Sequence, residues 1–260
     1  MNKRMILYIQ GAILLIESAI MVLPIAAALI YREPAGVWFF YTALAAAILG
    51  FAAMKLSNPR TKTIYAKEGL ITVALGWIVL SLVGALPFTL SGEIPFYLDA
   101  VFEMISGFTT TGSSILPNVE ALSRCMLLWR SFSHWLGGMG ILVFMLAIVR
   151  MEGGQGIHLL RAESPGPTVG KMVPRMVDSS KILYTIYFAL TLVQVVFYLA
   201  GGMPLFDSLC NAFATAGTGG FSIKADSFAS YSPYLQAVTT VFMALFGVNF
   251  SIYFFLLRRK

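Results

Sequence analysis

The chain has 260 residues, of which 58% are hydrophobic and only 12% are charged, and its mean hydropathy is +0.80. Soluble globular proteins carry about 25% charged residues because their surfaces must be hydrated. The composition therefore excludes a soluble enzyme and predicts an integral membrane protein surrounded by lipid. The formal net charge of +6 comes from basic residues between apolar segments, a pattern that signals membrane topology and no nucleic-acid partner.

Six apolar stretches are long enough to cross a membrane as helices, which takes about 17 to 25 residues. They cover residues 6–30, 37–54, 70–90, 126–149, 182–199 and 234–257. The N-terminus and residues 55–67, 150–181 and 258–260 hold 14 of the 18 Lys and Arg residues, so these segments are predicted to face the cytoplasm. The predicted fold is all-α, with six spanning helices and both termini cytoplasmic.

Two of the outer connections contain a further apolar segment of about ten residues, which is too short to cross the membrane. These segments are residues 96–107 and 205–214, and each runs into a turn rich in Thr and Gly. Irregular backbone at membrane depth is tolerated only where protein buries it or where it lines a watery cavity. The pattern indicates two re-entrant pore loops.

The two loops recur at a spacing of 108 residues, which aligns Asp99 with Asp207 and Gly112 with Gly220. Each loop lies between two apolar stretches, so the repeated unit is span, re-entrant loop, span. Paired broken segments in two halves favour a substrate site over duplication for packing alone. The predicted units are an N-terminal two-helix accessory hairpin (1–66), pore repeat 1 (67–150, with its re-entrant helix and filter at 96–114), a cytoplasmic linker (151–180) and pore repeat 2 (181–260, with its re-entrant helix and filter at 205–222).

The Thr/Gly turns have the chemistry of a cation filter. Consecutive backbone carbonyls replace the water shell of a cation without adding a fixed charge that would trap it. Glycine permits backbone angles that turn successive carbonyls toward one axis, and threonine adds a hydroxyl oxygen. The carbonyl ends of the short helices, near Gly107 and Thr215, would add partial negative charge. The predicted filter residues are Thr110, Thr111, Gly112, Thr218, Gly219 and Gly220, flanked by Thr109, Ser113, Gly217 and Phe221.

Other polar residues lie outside the predicted filter. Asp99, Glu103 and Asp207 either attract cations or complement the N-terminal ends of the short helices. Glu17, in the first span, is interpreted as a paired or snorkelling residue. Packing roles near the membrane interface or between helices are predicted for Arg130, His134, Gly137, Gly138 and Gly140.

No enzyme activity is predicted. The two histidines, His134 and His158, fall on opposite sides of the predicted membrane and form neither a catalytic nor a metal-binding cluster. Cys125 and Cys210 carry no predicted redox role.

FEMISGFTTTGSS followed by WRSFSHWLGGMGILV resembles the first pore repeat of bacterial Trk potassium-uptake subunits, in the Trk/Ktr/HKT cation-transporter superfamily. KEGLITVALGWIVLSLVGALPF resembles the preceding span, HLLRAESPGP the linker, and ATAGTGGFS with LFGVNFSIYFFLLRR the second repeat. The resemblance implies K⁺ uptake across the cell membrane, with K⁺ at the filter residues and no bound cofactor. It also implies a homodimer and a cytoplasmic nucleotide-binding regulatory subunit. The linker is either a docking segment for this subunit or a solvated connection between the two repeats.

The family's pore is lined by four repeats, whereas this sequence contains two. We expect the chain to supply half of a four-repeat pore, either as a fragment of a longer transporter or as one of two copies that close a ring. The alternative is a non-conducting membrane scaffold that needs further repeats or a second chain.

Overall fold

A computed structural model describes residues 2–57, 59, 66–140, 176–250 and 252–253. Within these ranges the secondary structure is helical, without strands. The α-helices are α1 (Lys3–Ile20), α2 (Val22–Tyr31), α3 (Gly36–Ser57), α4 (Ala66–Gly84), α5 (Leu86–Ser91), α6 (Tyr97–Phe108), α7 (Arg124–Met139), α8 (Met176–Ala200), α9 (Leu205–Ala216) and α10 (Pro233–Gly247). A short 3₁₀ helix at Val119–Ala121 precedes α7.

Four helical segments are long and apolar enough to cross a membrane, namely 3–31, 36–57, 67–91 and 182–200. Two of them are broken where the sequence predicts single spans: α1 and α2 meet at Met21, and α4 and α5 meet at Ala85. The predicted spans 126–149 and 234–257 are covered in part, by α7 as far as Met139 and by α10 as far as Gly247. Most of the predicted linker lies outside the described residues, and α8 begins earlier than the predicted span.

The N-terminal helices α1 and α3 pack at close range because both have a glycine at their contact. A Cβ atom on Gly11 would lie 2.7 Å from the carbonyl oxygen of Gly50, and one on Gly50 would lie 2.7 Å from that of Gly11. Small residues at such a crossing allow helix backbones to approach closely in a membrane. The Ser18 hydroxyl adds a hydrogen bond of 2.7 Å to the Ala43 carbonyl.

α7 lies between the two short helices α6 and α9. Trp129 packs edge-on against Phe108 at the end of α6, with ring centroids 6.2 Å apart, and its Nε1 donates to the Gly84 carbonyl at 3.0 Å. Phe132 packs edge-on against Phe213 of α9, with centroids 5.4 Å apart. Because α7 contacts both short helices, it fixes their loops relative to each other.

Candidate ion-filter site

The two loops that follow α6 and α9 have the same backbone conformation. Both helices are 12 residues long, and a shift of 108 places both ends of α6 on those of α9. Thr110 and Gly112 have φ values of 56° and 76°, and Thr218 and Gly220 have 60° and 68°. A β-branched residue with positive φ is a steric outlier, and such strain persists only where the surroundings enforce it, often at functional sites.

In a regular strand, successive carbonyls point to opposite sides. When left-handed backbone angles occur at every second residue, successive carbonyls point to the same side. Within the described residues, no hydrogen bond is donated to the carbonyl oxygens of residues 109–112 or 217–219. Gly220 differs, since its carbonyl accepts from the Ser222 amide at 2.8 Å. The amides of Thr110 and Thr111 bond back to α6, at 3.1 and 3.0 Å. The first loop is thus anchored to α6 by its amides, while most of the carbonyl oxygens in both loops have no donor within the described residues.

The two loops touch. A Cβ atom on Gly112 would overlap the carbonyl oxygen of Gly219, and one on Gly219 would lie 2.6 Å from the carbonyl oxygen of Thr110. Among the predicted filter residues, Thr110, Gly112, Gly219 and Gly220 are half-buried, Thr109, Thr111, Ser113 and Thr218 are exposed, and Gly217 and Phe221 are buried. The structure therefore brings both copies of the predicted filter together at one place.

Each loop is tied back to its own short helix by an equivalent hydrogen bond. The Ser114 hydroxyl donates to the Glu103 carboxylate at 2.8 Å, and the Ser222 hydroxyl donates to the Asn211 side-chain oxygen at 3.5 Å. A shift of 108 places Glu103 on Asn211 and Ser114 on Ser222. The repeat therefore extends to the side chains that anchor the loops.

Glu103 and Arg130 form a buried ion pair, with a distance of 2.6 Å between Nε and Oε1. For Glu103 this differs from the predicted role, since Glu103 lies in the middle of α6 and not at its end. Arg130 is buried and has a packing role, as predicted. The Glu103 carboxylate also accepts from the Ile115 amide at 3.0 Å. Arg130 Nη1 donates to the Ser222 carbonyl at 2.6 Å, and its guanidinium lies 3.3 Å from the ring centroid of Phe221. The ion pair thus connects the two loops.

His134 and Gly138 lie directly behind the second loop. His134 is fully buried, and its ring stacks on Phe221 with centroids 5.2 Å apart. A Cβ atom on either Gly217 or Gly219 would overlap the His134 ring, and one on Gly138 would lie 3.1 Å from the Cα of Gly217. His134 therefore has a packing role, as predicted, and the structure adds that the second loop is its packing partner. Sequence offered only a weak signal for this, a histidine in an apolar span.

Three other acidic residues, Glu17, Asp99 and Asp207, make no hydrogen bond to the two loops within the described part of the chain. Glu17 is fully buried, and within the described part of the chain its carboxylate has no hydrogen-bond partner, so the predicted pairing or snorkelling is not seen. Asp99 and Asp207 are half-buried in the first turns of α6 and α9. The Tyr231 hydroxyl donates to Asp207 at 3.4 Å, and burial raises the pKa of Tyr231 to about 12, so this donor stays neutral.

A helical membrane protein whose two short helices end in touching Thr/Gly loops falls into the class of cation transport proteins. The model of the cation transport protein family TrkH matches residues 37–260. This chain belongs to that family, which confirms the resemblance of its motifs, its all-helical fold and its membrane location.

Comparison with individual relatives gives the same result. The Trk system potassium uptake protein TrkH of Salmonella typhimurium is 38% identical over 264 residues, covering 100% of this chain and 54% of that protein. An uncharacterised cation transporter of Methanocaldococcus jannaschii is 32% identical, covering 98% of this chain and 53% of that protein. The crystal structure of the potassium transporter TrkH from Vibrio parahaemolyticus aligns with a TM-score of 0.82 at 32% identity, covering 98% of this chain and 52% of that one. The chain spans about half the length of the curated relatives that it matches.

Proposed function

We propose that this chain forms half of a four-repeat pore that takes up K⁺ across the cell membrane through a filter of backbone carbonyls. The observation that carries the proposal is the pair of touching loops with the same alternation of φ. Among the described residues, no group donates to the carbonyl oxygens of residues 109–112 and 217–219 in these loops. Carbonyl oxygens of this kind replace the hydration shell of a permeating ion without binding it too tightly to leave. The Trk relatives are named as potassium uptake proteins, and K⁺ is the ion proposed here.

The proposed ion-lining residues are the two triplets Thr110–Gly112 and Thr218–Gly220. Thr109, Ser113, Gly217 and Phe221 flank them. The C-terminal ends of α6 and α9 lead directly into the loops, so the dipoles of these helices add partial negative charge at the inner side of the filter. No cofactor is required for this chemistry.

Exposure of the first short helix supports a pore with more than two repeats. Phe102 of α6 is 44% exposed, whereas Cys210 at the equivalent position of α9 is fully buried. Ile105 is likewise 45% exposed, but its counterpart Phe213 packs against Phe132 and Trp135 of α7. α7, the last helix of the first repeat, thus covers α9, the short helix of the second repeat. In a ring of four repeats, the corresponding helix of the fourth repeat would cover α6.

The proposed topology has six spanning helices with both termini in the cytoplasm, divided into the accessory hairpin and two pore repeats as predicted. Basic residues concentrated in the proposed cytoplasmic segments support this orientation. We also propose a homodimer and a cytoplasmic nucleotide-binding regulatory subunit, both on the basis of family resemblance, with the linker as the regulator's docking segment.

K⁺ uptake by uptake-deficient cells tests the proposal in two forms of the protein. One is the 260-residue chain alone, and the other is the chain fused to the C-terminal half of the Salmonella relative, which supplies the two further repeats. We expect the fusion to take up K⁺. We expect Gly112→Asp to abolish this uptake, because the added carboxylate would enter the contact between Gly112 and Gly219. Uptake by the chain alone, sensitive to the same substitution, would mean that two copies close the ring.

The second candidate is a non-conducting membrane scaffold. It is favoured by the number of repeats, since two loops provide only part of a closed filter. It predicts that both forms insert in the membrane and that neither one increases K⁺ uptake. That outcome would replace the transport proposal.

A further inference from the structure

α7 presents three residues at a spacing of four to the second filter loop. Arg130 donates to the Ser222 carbonyl, the His134 ring covers Gly217 and Gly219, and Gly138 faces Gly217. Positions four apart lie on the same face of a helix, so these residues form one row. The row follows the loop from its outer end to its junction with α9. We call Arg130, His134 and Gly138 the α7 row.

The second loop depends on this row because it has few side chains of its own. A shift of 108 places Thr109 and Thr111 of the first loop on Gly217 and Gly219 of the second. Two threonine side chains in one loop thus correspond to bare glycines in the other, and the His134 ring occupies the space in which side chains on those glycines would lie. A glycine-rich strand has high backbone freedom, so its carbonyl positions are determined by what packs behind it.

We infer that the α7 row is the specificity-determining support of the second filter loop, and that it sets the preference of this loop for K⁺ over Na⁺. The inference rests on the proposed function. Discrimination between the two ions depends on the placement and stiffness of the coordinating carbonyls. The row contacts the backbone of this loop from Ala216 to Ser222. Arg130 and His134 are thus positioning residues, which act on the ion through the backbone.

Three substitutions test the row in whichever form of the protein takes up K⁺. His134→Ala removes the ring behind the glycines. Arg130→Lys retains the charge that faces Glu103 but loses the planar fork that reaches both Glu103 and the Ser222 carbonyl. Leu128→Ala is the control, because Leu128 is a half-buried residue of α7 outside the row. The readout is the K⁺:Na⁺ ratio, measured by competition of each ion with Rb⁺ uptake, alongside the amount of monodisperse protein extracted from membranes.

We expect His134→Ala and Arg130→Lys to lower the K⁺:Na⁺ ratio by roughly tenfold or more, since carbonyl placement controls discrimination, and Leu128→Ala to leave it unchanged. If the row acted only in folding, its variants would yield less protein but keep the K⁺:Na⁺ ratio. A constant K⁺:Na⁺ ratio in both row variants, with K⁺ uptake still present, would therefore overturn the inference. Absence of uptake by the unsubstituted protein in both forms would instead refute the proposed function, and the inference with it. If His134→Ala yields no folded protein, Arg130→Lys decides the outcome.

Discussion

The two glycines of the proposed filter occupy equivalent positions in the repeat, yet their surroundings differ. Gly112 and Gly220 both have positive φ, which costs a residue with a Cβ atom roughly 1–2 kcal/mol. Among the described residues, a Cβ atom on Gly112 would meet a backbone obstacle, the Gly219 carbonyl, whereas one on Gly220 would have Met243 Cε, at 3.9 Å, as its nearest neighbour. We expect Gly112→Ala to abolish K⁺ uptake and Gly220→Ala to retain a measurable part of it. Equal loss of uptake in the two variants would contradict this ranking.

Glu103 is the residue whose loss should most affect stability. Its carboxylate is fully buried and pairs with an Arg130 side chain that is 2% exposed. Removal of one partner of a buried ion pair leaves an uncompensated charge and typically costs about 3–5 kcal/mol. Glu103→Gln should therefore lower the free energy of unfolding in detergent by about that amount, whereas the exposed Glu120→Gln should change it by less than about 0.5 kcal/mol. A loss below about 1 kcal/mol for Glu103→Gln would show that Arg130 finds another partner.

At the scale of helices, α7 depends on the accessory hairpin for its N-terminal cap. The Glu33 carboxylate, between α2 and α3, accepts from the amides of Arg124 and Cys125 at 2.8 and 2.9 Å. The local candidate for a cap, the Ser123 hydroxyl, bonds to Glu93 instead at 2.7 Å. Because loss of a helix cap costs about 0.5–2 kcal/mol, Glu33→Ala should lower the melting temperature of the protein. Arg32→Gln, an exposed change at the neighbouring residue, is the control, and an equal shift in both variants would argue against the cap.

Sequence predicted the bounds of the two short helices well because their information is local. The predicted segments 96–107 and 205–214 differ by one or two residues from α6 and α9, since apolar length and Thr/Gly turns lie within each segment. The helix breaks at Met21 and Ala85 were missed although each has a local signal, since Pro24 and Pro87 follow them within three residues and a proline removes a helix hydrogen bond. The role of α7 was also missed, because the contact of Arg130 with Ser222 joins residues 92 positions apart. A single sequence gives no means of recognising that two such distant residues are in contact.

At the scale of the whole molecule, the exposed face of α6 distinguishes a complete ring from an incomplete one. In the chain alone, a cysteine at Ile105 should react readily with a hydrophobic maleimide, since Ile105 is 45% exposed. In the fusion with the C-terminal half of the Salmonella relative, a helix of the fourth repeat should cover the same face and protect that cysteine. Val196→Cys, on α8 and 62% exposed, should react in both forms, and the native Cys125 and Cys210 are buried. Equal labelling of the cysteine at 105 in both forms would contradict the four-repeat ring, whereas protection already in the chain alone would place a second copy against α6.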